Sequence, residues 1–232
     1  MLENAGPAEA PRPRALALVH NVRACRVLIV GSAPGSLRER QRQQILGDLH
    51  ESAVAVVERV GFTGATIDLI AGRAKVSRRT FFNYYASKED AVLGTTAPKM
   101  PEQALAAFVN DIEGDQFTRI LRLIIEIIRS TYVLGVTADE RRRLVDSYPQ
   151  LRERMAQHVS AAESLTETAL SERLKRSGSQ AGSAESSRAL LMLASTVLRY
   201  AHSNDPGALE SNDSAAIEAV VSVFRDALED IS

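Results

Sequence analysis

A chain of 232 residues that is 45% hydrophobic and 25% charged has enough apolar content for a folded core. Its formal net charge of -1 excludes a protein that coats nucleic acid without regard to sequence, since such proteins are far more basic. One cysteine, Cys25, excludes an intrachain disulfide framework and suits a reducing compartment, so we expect a cytoplasmic protein.

Residues 1–36 carry four of the eight prolines and no sustained periodicity, and they read as a flexible N-terminal tail. The most apolar run there, "ALALVHNVRACRVLIVGSA", is interrupted by His20, Arg23 and Arg26, which is too often for a membrane span. From Leu37 to about Val60, Ile45, Leu49, Ala53, Val56, Val57 and Val60 follow the three-and-four spacing of a helix with one buried face, and Gly61 supplies its stop. Thr66 then caps a short helix on which Ile67, Ile70, Ala71 and Ala74 share a face. Lys75 and Val76 make a turn, Ser77 caps a second short helix running to about Tyr85, and Ser87 caps a fourth. Two short helices joined by a tight turn behind a longer one form a helix-turn-helix domain, which we place at residues 37–94.

The charge is unevenly distributed. Up to Asp90 there are 13 Lys/Arg against 9 Asp/Glu, a net +4, whereas the remainder carries 15 against 20, a net -5. Between Thr66 and Lys88 five bases face one acid, Asp68. This basic segment at the head of an acidic body predicts a polyanion partner for the first domain alone, namely double-stranded DNA. Four of the eleven aromatic rings also crowd into residues 81–85. With Phe81 and Tyr85 facing inward, helix geometry leaves Arg78, Arg79, Thr80, Asn83 and Tyr84 toward the outside. Arginine forks onto guanine O6 and N7, asparagine reads adenine, and an exposed ring packs on a thymine methyl or the sugar-phosphate.

The stretch from about Arg38 to Leu93 resembles the N-terminal domain of the tetracycline-repressor (TetR) family of bacterial regulators. The matching residues are Thr66, Ile67, Ile70, Ala71, Ala74, Val76-Ser77, Thr80, the aromatic run and Ser87-Lys88-Glu89. The resemblance implies that Arg78, Arg79, Thr80, Phe82, Asn83 and Tyr84 face bases or the groove, and that Thr66 and Lys88 contact phosphate. Three positions depart from the family pattern. Lys75 stands where glycine is common in the turn, Phe82 where tyrosine is usual, and Tyr85 where phenylalanine is usual.

Past Pro98 and Pro101 the pattern is helical throughout, with segments near 101–113, 116–135, 138–147, 150–176, 184–203 and 212–231. No strand pattern of useful length appears, so the expected fold is all-α, with residues 98–232 forming a helical ligand-binding and dimerisation domain. "ILRLIIEIIRS" is apolar on nearly all sides and should lie at the centre of that domain. The resemblance implies a homodimer joined through the last two long helices, with Leu191, Val197, Val220 and Phe224 in the seam. It also implies a small-molecule pocket among the C-terminal helices.

The stretch from Arg141 to Leu174 is similar to a subset of the family associated with acyl-CoA-like or fatty-acyl effectors. Phe108, Ile124, Ile127, Ile128, Tyr132, Met155 and Met192 would suit an apolar chain. Arg142, or its neighbours Arg141, Arg143 and Arg152, would stand near a headgroup, and His158 could hydrogen-bond the ligand. The four histidines show no metal-ligand spacing, and no glycine-rich phosphate loop, nucleophile elbow or carboxylate pair stands out. An enzyme, a cofactor and a metal are therefore not expected. The expected function is a DNA-binding transcriptional regulator, a repressor with a near-palindromic operator and a small hydrophobic effector. A helical enzyme and an architectural DNA-binding protein are the rival classes.

Overall fold

The computed structural model describes residues 37–110, 115–177 and 181–204, together with 219, 221–224 and 226. The expected tail at 1–36, Cys25 and Val220 lie outside the described residues. Among the described residues the regular structure is helical, apart from one isolated bridge between Thr95 and Tyr132.

Helix α1 runs over Leu37–Gly64 and is broken at Gly61, whose φ of 74° and ψ of 163° end the straight helix where the sequence places its stop. Helices α2 (Ile67–Arg73), α3 (Arg78–Tyr84) and α4 (Lys88–Leu93) follow, capped by Thr66, Ser77 and Ser87. Each cap side chain accepts the N–H of the third residue onward, namely Leu69, Thr80 and Asp90. The turn between α2 and α3 is a Schellman closure. In it the Val76 N–H reaches Ala71 O at 2.9 Å and the Lys75 N–H reaches Gly72 O at 3.2 Å. Such a closure needs a left-handed residue, and Lys75 supplies it at φ 56°. A side-chain-bearing residue there costs about 1 kcal/mol relative to glycine.

The second half comprises α5 (Glu102–Asn110), α6 (Gln116–Arg129), α7 (Ala138–Ser147), α8 (Pro149–Ser177) and α9 (Ala181–Asn204). Helix α6 is central, as its composition predicts, and packs on α5, α8 and α9. It contains five isoleucines, which are indifferent helix formers costing up to about 0.7 kcal/mol each. Burying each of them contributes roughly 2 kcal/mol, so tertiary packing and not intrinsic propensity holds this helix. The sequence pattern extends the helix to residue 135, but it ends at Arg129. The chain leaves it so that Val133 N can bond Gly94 O at 3.0 Å and Thr96 N can bond Thr131 O at 2.7 Å, which staples the connection after α4 to the end of α6.

Two apolar cores result. One joins α5, α6, α8 and α9. The other fills the space among α1 to α4 and also takes in Val133, Val136, Leu144 and Leu151 from the second half. Gly94 sits at this junction with φ 62°, and a Cβ there would meet Val136 Cγ2 at 2.7 Å.

Candidate nucleic-acid interface and effector cavity

Helix α3 has two faces. Phe81 and Tyr85 are fully buried, and the Tyr85 hydroxyl donates to Leu46 O of α1 at 2.9 Å. That bond satisfies the phenol that the sequence carries in place of the usual phenylalanine. Burial, reinforced by the nearby Asp90 carboxylate, pushes the phenol well above its ordinary pKa. Arg78, Arg79, Phe82 and Asn83 are exposed on the opposite face, with Thr80 and Tyr84 half-buried at its edges.

Several of these side chains are already held in place. Arg78 pairs with Asp68 of α2 at 3.0 Å and lies 5.5 Å from the Phe82 ring centroid. Both members of the ion pair are exposed, so the pair is worth well under 1 kcal/mol and releases Arg78 easily to a better partner. Arg42 of α1 covers the Tyr84 ring at 5.7 Å, and the Thr80 hydroxyl lies 2.8 Å from that of its cap, Ser77. Lys88 is turned inward more than a phosphate ligand need be. Its ammonium donates to Phe62 O at 2.9 Å and Ala65 O at 3.1 Å and covers the Phe62 ring at 4.7 Å. Two of its donors thus tie the start of α4 to Phe62 and Ala65 at the junction of α1 and α2, which leaves one donor for another partner.

Behind α4 lies a cavity of about 500 Å³ walled by α6, α7, α8 and α9. Of the residues expected to line it, Ile124, Ile128, Tyr132, Arg142, Met155 and His158 do so. Phe108 and Ile127 do not, being packed inside the core next to it. Met192 is displaced from the expected place. It is 66% exposed and edges a separate recess of about 310 Å³ between α8 and α9. The reason is helical phase. Leu191, Ala194, Ser195 and Leu198 form the inward stripe of α9, which turns Met192 outward.

The residues expected in a dimer seam divide as well. Leu191 and Val197 are shut inside this chain's own core, and Phe224 is half-buried edge-on to Tyr200 at 5.5 Å. Val220 lies outside the described residues. The exposed apolar groups on this flank are Met192, Tyr200 and Val223.

A buried polar network that the sequence pattern does not show links α4 to α8. Asp90, at the third position of α4 and fully buried, accepts from its cap Ser87 at 3.0 Å. It also accepts from Arg154 of α8 through Nε and Nη2, both at 2.7 Å, and from His158 Nε2 at 2.7 Å. Burial alone would raise this carboxyl, but the His158 and Arg154 bonds and charges outweigh it and hold the pKa below its ordinary value. The Asp90 bond in turn raises Arg154. The sequence shows only the capping half of this arrangement, Ser-x-x-Asp; Arg154 lies 64 positions away.

Among the described residues, no cluster of three or more His, Cys, Asp or Glu is placed to hold a metal ion, and no helix is long and apolar enough to cross a membrane.

A family model described as bacterial regulatory proteins, tetR family, matches residues 49–93, which span the end of α1 through α4. Residues 49–93 are therefore similar to the DNA-binding domain of the tetR family. The matched segment contains the helix-turn-helix and supports DNA-binding transcriptional regulation. No curated protein matches the chain. Among solved structures, one from Mesorhizobium loti described as a TetR-family transcriptional regulator is 15% identical, covering 81% of this chain and 98% of its own, at a TM-score of 0.35. The likeness of this segment to the family rests on the matched domain alone.

Proposed function

We propose that this chain is a tetR-family regulator, a cytoplasmic repressor that binds a near-palindromic operator as a homodimer and releases it when a small apolar effector fills the cavity. The observation that carries the reading is the cavity itself, with apolar walls from Ile124 and Ile128 of α6 and Met155, Ala156 and Val159 of α8. Two of its wall helices, α7 and α8, pack on the helix that follows the reading helix. Residues 37–94 act as the reading domain and 98–232 as the ligand-binding and dimerisation domain. Arg78, Arg79, Thr80, Phe82, Asn83 and Tyr84 meet bases or the groove. Thr66 at the start of α2 and the remaining donor of Lys88 at the start of α4 hold phosphate. On a two-fold axis, two such heads require half-sites about 34 Å apart or more. The exposed Met192, Tyr200 and Val223 offer the apolar contact for a partner copy, around the Phe224 ring.

An apolar effector such as a fatty acyl chain, free or as its thioester, suits these walls, where each buried methylene contributes about 0.8 kcal/mol. Its acidic head would meet Arg142, which has no ion-pair partner among the described residues. To displace DNA, the ligand must prefer a conformation that DNA does not, because equal affinity for both shifts nothing.

The test begins with a duplex selected from a random library by the wild-type protein. Arg78→Ala should then weaken binding by about 1–3 kcal/mol per half-site and relax preference at one base pair, while Lys88→Ala weakens all sequences alike. Light scattering should give twice the 25.2 kDa chain mass. A monomer at micromolar concentration, or equal loss on every sequence for Arg78→Ala, refutes the corresponding part.

A further inference from the structure

The cavity and the reading domain share a side chain. His158 lines the cavity, is itself buried, and places Nε2 on the Asp90 carboxylate at 2.7 Å, with the Thr95 hydroxyl at 3.4 Å. Its other ring nitrogen, Nδ1, makes no hydrogen bond within the described residues. Asp90 is not a passive end point. Its carboxylate accepts the Ser87 hydroxyl while its own N–H donates to that hydroxyl, so its position fixes the first turn of α4. The neighbouring Lys88 holds the carbonyls of Phe62 and Ala65, which lead into α2.

We propose that His158 transmits occupancy of the cavity to the reading domain: a ligand polar group that bonds Nδ1 moves the ring off Asp90 and frees the first turn of α4. This rests on the effector reading of the cavity given above. An imidazole is rigid, so a shift that satisfies one nitrogen displaces the other. A hydrogen bond at 2.7 Å to a carboxylate tolerates little displacement. Arg154 does not line the cavity and stays on Asp90 through both bonds, so the carboxylate remains paired while its second partner leaves. The switch therefore costs far less than uncovering a buried charge.

Glutamine and asparagine separate the two nitrogens. A glutamine amide reaches the place of Nε2 and keeps a donor on Asp90, with nothing at the Nδ1 position. Asparagine does the reverse. The probe is decanoate, with decanol as its uncharged counterpart, measured on the full chain by calorimetry and by binding to the selected duplex. In the wild type, saturating decanoate should weaken duplex binding roughly tenfold, and duplex should weaken decanoate by the same factor. In His158→Gln, duplex and decanoate should each still bind alone, while the factor linking them falls to near one. His158→Asn should bind duplex in the absence of ligand as weakly as the wild type does in its presence. If the linkage in His158→Gln stays at the wild-type factor, the proposal is overturned and the effector reading stands. If neither decanoate nor decanol binds the wild type, the effector reading falls and takes the proposal with it.

Discussion

Replacing Asp90 by asparagine tests the link between the halves most directly. The carboxylate accepts four hydrogen bonds, from Ser87, from Arg154 twice and from His158. An amide has one acceptor oxygen, which can serve two of these donors, and it turns an NH2 group toward the others. Hydrogen bonds to a charged group are worth about 1.5–3 kcal/mol each. The Arg154 side chain is 26% exposed and can recover some hydration, so the lower figure applies. Two lost bonds then cost about 3 kcal/mol at neutral pH.

The sign of the pH dependence follows from the depressed carboxyl. Its contribution is complete above the unfolded value of 3.8 and is lost as pH falls through the lower folded value. Urea unfolding at fixed protein concentration should therefore show a wide gap between wild type and Asp90→Asn at pH 7, closing as the solution is acidified below about pH 4. A gap under about 0.5 kcal/mol at pH 7, or one that does not change with pH, would refute the assignment of Asp90 as a paired, buried anion.

Two backbone positions give further tests. Lys75→Gly removes the left-handed strain of the turn, partly offset by the greater freedom of glycine in the unfolded chain, and should raise Tm by about 2 °C; a lower Tm would contradict the φ of 56°. Gly94→Ala drives a Cβ to 2.7 Å from Val136 and should destabilise by about 3 kcal/mol in urea. Val136→Ala should recover part of that loss, whereas simple additivity of the two changes would deny the contact.

The reading domain was legible because its signals are local. The caps Thr66, Ser77 and Ser87, the stop at Gly61 and the inward pair Phe81 and Tyr85 each depend on residues within a turn or two. The apolar centre at α6 was legible for the same reason. What escaped depends on distance along the chain. Asp90 meets Arg154 and His158, Lys88 meets Phe62 and Ala65, and Val133 meets Gly94. No local pattern encodes such pairings. Met192 was misplaced for a different reason. A stripe of apolar residues fixes that a helix is buried, but a shift of one residue moves a side chain by about 100° and out of the cavity wall.

The second core has a practical consequence for engineering. Because Val133, Val136, Leu144 and Leu151 complete the packing around α1 to α4, the helix-turn-helix is not a transferable cassette. Cutting after Leu93 would uncover its underside and strand Asp90 without Arg154. A chimaera that grafts this reading head onto another sensory body must bring α7 and the first turns of α8 with it, or supply a surface of matching shape.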